Sequence, residues 1–207
     1  MRFLNVLDRV TSKIAPGRTP SFTEAHVLKA LETIGKHRFV GRIRLSKELG
    51  SGEGTTRTLV KHLKREKLVE VSRKGIMLSE SGKELLSKLR SHISEGVEIP
   101  PGALTVGPHN FAVLVRNRGH AVKYGLEQRD AAIRAGASGA TTLVYFQNRL
   151  TMPGVEEDVF KEASLIRKFL MSKLSPEEND AIIIGSAKDK RTAEFGARMS
   201  AIELLKK

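Results

Sequence analysis

At 207 residues the chain has room for two modest domains, each large enough to bury a core without covalent staples. It contains no cysteine, which excludes disulfides and thiolate metal sites and makes a cytoplasmic setting the simplest expectation. Lys and Arg number 36 against 23 Asp and Glu, a balance that favours a polyanionic partner, and no apolar run approaches the ~20 residues needed to span a bilayer.

The positive charge is uneven. Residues 1–95 hold 20 basic and 10 acidic side chains, whereas residues 96–207 hold 16 and 13. The polyanion-binding surface is therefore expected in the first half, with an affinity that falls steeply with salt.

The chain opens on MRFLNVLDRVTSKIAPGRTP, where Asp8 and Arg9 interrupt the apolar core that a secretory signal would require. Phe3, Leu7, Val10 and Ile14 share one helical face, so residues 1–20 read as an amphipathic helix that packs on the body of the protein or on a second subunit. Pro16 and Gly17 end it. Ser21-Phe22-Thr23-Glu24 has the form of a capping box and introduces a helix burying Val27, Leu28, Leu31 and Ile34.

Residues 43–78, IRLSKELGSGEGTTRTLVKHLKREKLVEVSRKGIML, read as helix, tight turn, basic helix and two short strands joined by Ser72-Arg73-Lys74-Gly75. This is the layout of a winged helix-turn-helix. Leu45, Leu49, Thr56, Leu59, Val60 and Leu63 fall on inward faces, and Gly50-Ser51-Gly52 supplies the turn. On a helical wheel Gly54, Arg57, Thr58, Lys61 and Arg65 occupy the opposite side of the second helix. Gly54 leaves room for a phosphate at the helix start, where free N–H groups favour an anion, and Thr55 suits an N-cap or a phosphate donor. Arg57, Thr58, Lys61 and Arg65 are then expected at bases or flanking phosphates of double-stranded DNA, and Arg73 and Lys74 at the adjacent backbone or minor groove. A charged outer face can also be mere solvated surface; turn, helix and wing agreeing with one another favours the nucleic-acid reading.

Ser79 can cap a helix over about residues 80–91, carrying Leu85, Leu86 and Leu89. Residues 21–94 form the winged domain. Residues 95–102, with adjacent prolines and no periodicity, read as a linker. Residues 103–207 have a different texture: strand 110–117, helix 126–135 ended by Gly136, strand 140–146, a return strand 150–152, a long helix over about 155–173 carrying Val159, Phe160, Ala163, Ile166 and Leu170, strand 180–186 and helix 191–205. That order predicts a layered α+β sandwich with a largely antiparallel sheet backed by helices.

A search for catalytic chemistry finds little. Gly136-Ala137-Ser138-Gly139 precedes a strand and lacks the Lys-Ser/Thr of a P-loop, Ser186 lacks the glycines of a nucleophile elbow, and the six histidines form no close ligand pair. No catalytic residue, metal site or cofactor is assigned. In the second domain Arg116 and His120 follow the first strand, Arg129 and Asp130 lie on the next helix, Thr141 and Thr142 begin a strand, and Asp189 and Glu194 follow the last strand; a sheet that brought those ends together would surround a small polar or anionic effector with them. Small residues around Ala131, Ala132, Gly136, Gly139 and Ala140 equally suit close packing of a helix on the sheet.

The segments GSGEGTTRTLVKHLK and SRKGIMLSESG, with RDAAIRAGASGATTLVY and DAIIIGSAKDKRTAEFGA, resemble a small uncharacterised archaeal family. In it a winged helix precedes a domain similar to the GAD insert of bacterial-type aspartyl-tRNA synthetases and of amidotransferases of the GatB/GatE type. The resemblance spans nearly the whole chain and implies a winged helix joined to a GAD-like α+β domain, with a role in transcriptional regulation. It supplies no ligand and no catalytic residue. The reading is a homodimeric, sequence-specific DNA-binding regulator rather than an enzyme, its C-terminal domain dimerising or sensing an effector. An RNA- or tRNA-associated protein is the alternative, disfavoured because stacking aromatics are scarce. A small-molecule enzyme using Asp130, Asp189 or Glu194 as a base is the third.

Overall fold

The computed structural model describes residues 3–13, 19–155, 160 and 164–207. It divides into two compact units, Met1–Leu89 and Arg90–Lys207.

In the first unit α1 (Leu4–Thr11) buries Leu4, Leu7 and Val10 against its own unit, and Ile14, Pro16 and Gly17 lie outside the described residues. α2 (Glu24–Gly35) buries Val27, Leu28, Leu31 and Ile34, as its spacing predicts. Its cap differs from the expected box. Thr23 is the N-cap, with the extended backbone an N-cap requires, and His26 rather than Glu24 reaches back, its Nδ1 accepting from the Thr23 amide at 3.2 Å. Ser21 is left free to hydrogen-bond the hydroxyl of Thr55 at 3.1 Å.

α3 (Arg42–Leu49) and α4 (Glu53–Arg65) meet at Gly50, whose φ of 59° closes the helix by letting the Ser51 amide reach Ser46 O. Leu45, Leu49, Thr56, Leu59, Val60 and Leu63 are all buried. β1 (Val69–Ser72) and β2 (Gly75–Leu78) pair antiparallel with Ser72 opposite Gly75, so Arg73 and Lys74 form the tip of a two-residue turn. Val40 adds a bridge to this wing, exchanging two backbone hydrogen bonds of 2.9 Å with Ile76. α5 (Glu80–His92) follows, capped by Ser79, whose hydroxyl accepts from the Gly82 amide.

The second unit holds a five-stranded sheet in the order β3-β4-β7-β5-β6, antiparallel at every pairing. Its strands are β3 (Val97–Ile99), β4 (His109–Val115), β5 (Gly139–Phe146), β6 (Arg149–Thr151) and β7 (Ala181–Ala187), with helices α6 (Leu126–Arg134), α7 (Ser164–Leu174) and α8 (Lys190–Leu205). The segment 95–102 is therefore not wholly a linker: Val97–Ile99 pairs with Asn110–Ala112 and buries Ile99. Three alternating residues before Pro100 are too short a run to announce a strand. Expected helical positions Val159 and Ala163 lie outside the described residues, and α7 is described from Ser164.

One sheet face packs Ala112, Leu114, Leu143, Ile182 and Ile184 with Ile166, Leu170 and Leu174 of α7. The other face receives α6 and α8 through small side chains: Ala132, Ala137, Ala187 and Ala193 form one cluster. Gly185 sets that spacing, because a Cβ there would lie 2.5 Å from both Ala193 O and Ala197 N. β7 is central and buried at all seven residues, covered on both faces.

Candidate nucleic-acid interface

α4 is held from within by its apolar side, which leaves Gly54, Arg57, Thr58, Lys61 and Lys64 exposed. Gly52 is the N-cap, so Thr55 sits inside the first turn as a half-buried residue bonded to Ser21 rather than as the cap. A Cβ at Gly54 would meet nothing within 4 Å, so the helix start opens to solvent. Thr58 turns its hydroxyl back to Gly54 O at 3.0 Å, a bond it can exchange for one to a ligand.

Beside this face the wing completes a groove of about 500 Å³. Its apolar floor includes Val40, Val60, Val71 and Ile76, and its rim carries Arg42, Arg57, Lys61, Lys64, Arg73 and Lys74 with no carboxylate among the lining residues. Six cations along one groove, unopposed by acidic side chains, create the field that holds a phosphate backbone. The exposed floor residue Val71 offers apolar contact of the kind a sugar or a thymine methyl makes.

The expected contact residues are thus mostly brought together: Arg57, Lys61, Arg73 and Lys74 share the groove, with Gly54 and Thr58 along the same exposed helix side. Arg65 is placed elsewhere. Its Nη2 donates to Arg9 O at 2.9 Å and its Nε lies 3.4 Å from Glu66 Oε1, so it serves the junction with α1. Two groove residues escaped sequence reasoning. Lys64 follows Lys61 by three positions on the same stripe and was legible on the wheel. Arg42 was not, because it reaches the groove only through the Val40 bridge to the wing.

The residues proposed to surround an effector do not converge. Arg116 and His120 follow β4, where the Arg116 guanidinium pairs with buried Asp180 at 2.8 Å and the His120 amide donates to Asn179 Oδ1 at 2.7 Å. Asp189 lies beyond the opposite end of the sheet, because β4 runs antiparallel to β7 with His109 opposite Ala187 and Val115 opposite Ala181. There it caps α8, and hydrogen bonds from the Thr192 hydroxyl and amide hold its carboxyl below the ordinary value. Glu194 is engaged with Arg198 at 2.9 Å, Arg129 and Asp130 pair with each other on the surface, and Thr141 and Thr142 lie within β5 opposite Ile184 and Ile183. Ser186 is buried, with its hydroxyl accepting from the Val106 amide.

Residues 26–93 match the model of the CggR N-terminal DNA binding domain. The groove lies wholly inside a segment similar to a known DNA-binding domain. Residues 106–204 match a second model, a domain of unknown function designated DUF4443. Among solved structures the chain is similar to a hypothetical protein from Pyrococcus horikoshii OT3, with a TM-score of 0.70 and 28% identity over 90% of this chain and 94% of that one. No curated protein matches. No helix among the described residues is long and apolar enough to cross a membrane. The likeness to a CggR-type domain and the cationic groove point to the same surface and the same class of partner, DNA.

Proposed function

We propose that the protein is a cytoplasmic, sequence-specific transcriptional regulator that binds double-stranded DNA as a homodimer. The observation carrying this reading is the groove between α4 and the wing, with Arg42, Arg57, Lys61, Lys64, Arg73 and Lys74 on its rim. α4 enters the major groove with Arg57 and Thr58 toward base edges and Lys61 toward a flanking phosphate, and the wing tip follows the neighbouring backbone. Two-fold symmetry then sets the recognition helices roughly 34 Å apart, one DNA turn.

The C-terminal unit supplies dimerisation in this reading. Effector sensing has less support, since its candidate residues are divided between the two ends of the sheet and are largely engaged with protein partners. The likeness to the GAD insert rests on the sequence segments that carry it, and the similarity to a Pyrococcus protein supports an archaeal source.

Selection of bound fragments from genomic DNA tests the proposal, with recovery of a palindromic site as the expected outcome. Retention of RNA with no enriched duplex would replace this reading with that of an RNA-associated protein.

A further inference from the structure

Behind the DNA-facing side of α4, its last turn grips the C-terminal end of α1. His62 is 3% exposed, and its Nδ1 lies 2.6 Å from Val10 O; a carbonyl only accepts, so the ring is the donor. Arg65 Nη2 donates to Arg9 O at 2.9 Å. The grip is reciprocal, because Arg9 Nε donates to Glu66 Oε2 at 2.8 Å, and the other Glu66 oxygen lies 3.4 Å from Arg65 Nε. The ring of His62 also meets Phe22 edge-on at 5.3 Å.

Two carbonyls in the last turn of α1 accept from α4: Val10 O from the His62 ring, and Arg9 O, which the Ser12 amide and hydroxyl also reach, from Arg65. His62 directly follows Lys61, so the rotation of α4 that aims Lys61 and Arg57 into the groove is the rotation that seats His62 on Val10 O. Apolar packing alone tolerates small rotations of a helix; a directional hydrogen bond from a buried ring does not.

We propose that His62, Arg65 and Glu66 are positioning residues for DNA recognition: they lock the azimuth of α4 against the C-terminal end of α1, His62 and Arg65 through its carbonyls and Glu66 through the Arg9 guanidinium, and Arg65 makes no phosphate contact. This rests on the DNA-binding reading above. The test measures affinity for the selected duplex and for a scrambled duplex across a salt titration, at a temperature where circular dichroism shows each full-length variant folded. Lys61→Ala, as the control for a phosphate contact, is expected to reduce the slope of log K against log salt by about 0.9. Arg65→Ala and Glu66→Gln are expected to lower specific affinity several-fold with the slope unchanged. His62→Ala is expected to cut the ratio of specific to scrambled affinity about tenfold, and His62→Asn, which keeps a donor near the Nδ1 position, to restore most of it.

A slope change for Arg65→Ala equal to that of Lys61→Ala would overturn the clasp and return Arg65 to the phosphate backbone. Full discrimination by folded His62→Ala would overturn it as well. Should His62→Ala not fold, Arg65→Ala and Glu66→Gln, which alter side chains at the rim of the junction, carry the same decision. A wild-type protein that bound no duplex would overturn both the clasp and the DNA reading, an outcome distinct from failure of the clasp alone.

Discussion

The two units use their polar side chains in opposite directions. In the N-terminal unit Arg57, Lys61 and Lys64 of α4 stand with Arg73 and Lys74 of the wing around an open groove that no carboxylate lines. In the C-terminal unit polar groups are turned inward as cross-links: Asp180 is buried and accepts from the guanidinium of Arg116 and from the amides of Asn117 and Glu177. Arg198 is likewise buried, bonded to Glu194 and to Glu95 O, with its guanidinium 5.8 Å from the Phe111 ring centre. A charge left in water contributes little to stability and remains available to a ligand, whereas a buried pair is committed to the fold. The cations of the N-terminal groove stay open to a ligand, whereas these C-terminal groups are engaged in the fold of their own unit.

The largest perturbation expected is Asp180→Ala, which removes the acceptor of two backbone amides and the main partner of the half-exposed Arg116. It should destabilise the C-terminal unit by about 3–4 kcal/mol, measured by urea denaturation. A loss below about 1 kcal/mol would mean that the cross-link is not structural and would weaken the contrast. Gly185→Val should follow at about 3 kcal/mol, since the added side chain meets backbone atoms of α8 that cannot swing aside. In the N-terminal unit Arg57→Ala should instead leave stability within about 0.5 kcal/mol while weakening duplex binding by about 1–3 kcal/mol. Equal losses of stability and affinity would erase the distinction.

Acid is the perturbation under which the two units should behave alike. Burial holds His26 below the ordinary histidine value of 6.5, and burial followed by the charge of Arg118 does the same for His92. A histidine with a depressed folded pKa binds more protons when unfolded, so its stabilising effect is complete above pH 6.5 and declines as pH falls below it. Denaturation midpoints of both units should drop between pH 7.5 and 5.5. His26→Gln should shrink the drop in the N-terminal unit alone, because a glutamine at this third helical position can retain the capping box without titrating. An unchanged drop would remove His26 as its source.

Much of this was legible from spacing. The inward set Leu45, Leu49, Thr56, Leu59, Val60 and Leu63 is buried as the helical period requires, and Arg57, Lys61, Arg73 and Lys74 share the groove. Periodicity identifies a face, but it does not say what stands opposite that face. Arg65 lies on the outward side of the wheel and still belongs to α1, because its long side chain reaches past its own helix to Arg9 O. The polar candidates of the second unit failed for a related reason. Arg116 and Asp189 each lie just past a strand end, but antiparallel pairing of β4 with β7 sends them to opposite ends of the sheet, and Asp130, Thr142 and Glu194 fall inside α6, β5 and α8.

The sequence by itself determined the type and order of nearly every element, the apolar faces and the uneven charge, since these follow from local period, turn chemistry and composition. Tertiary structure decided which of the outward residues meet. The Val40 bridge brings Arg42 to the wing, the docking of α1 withdraws Arg65, and Val97–Ile99 becomes a strand because Asn110–Ala112 is there to pair with it. Each of these depends on a partner remote in sequence, and a local pattern carries no record of it.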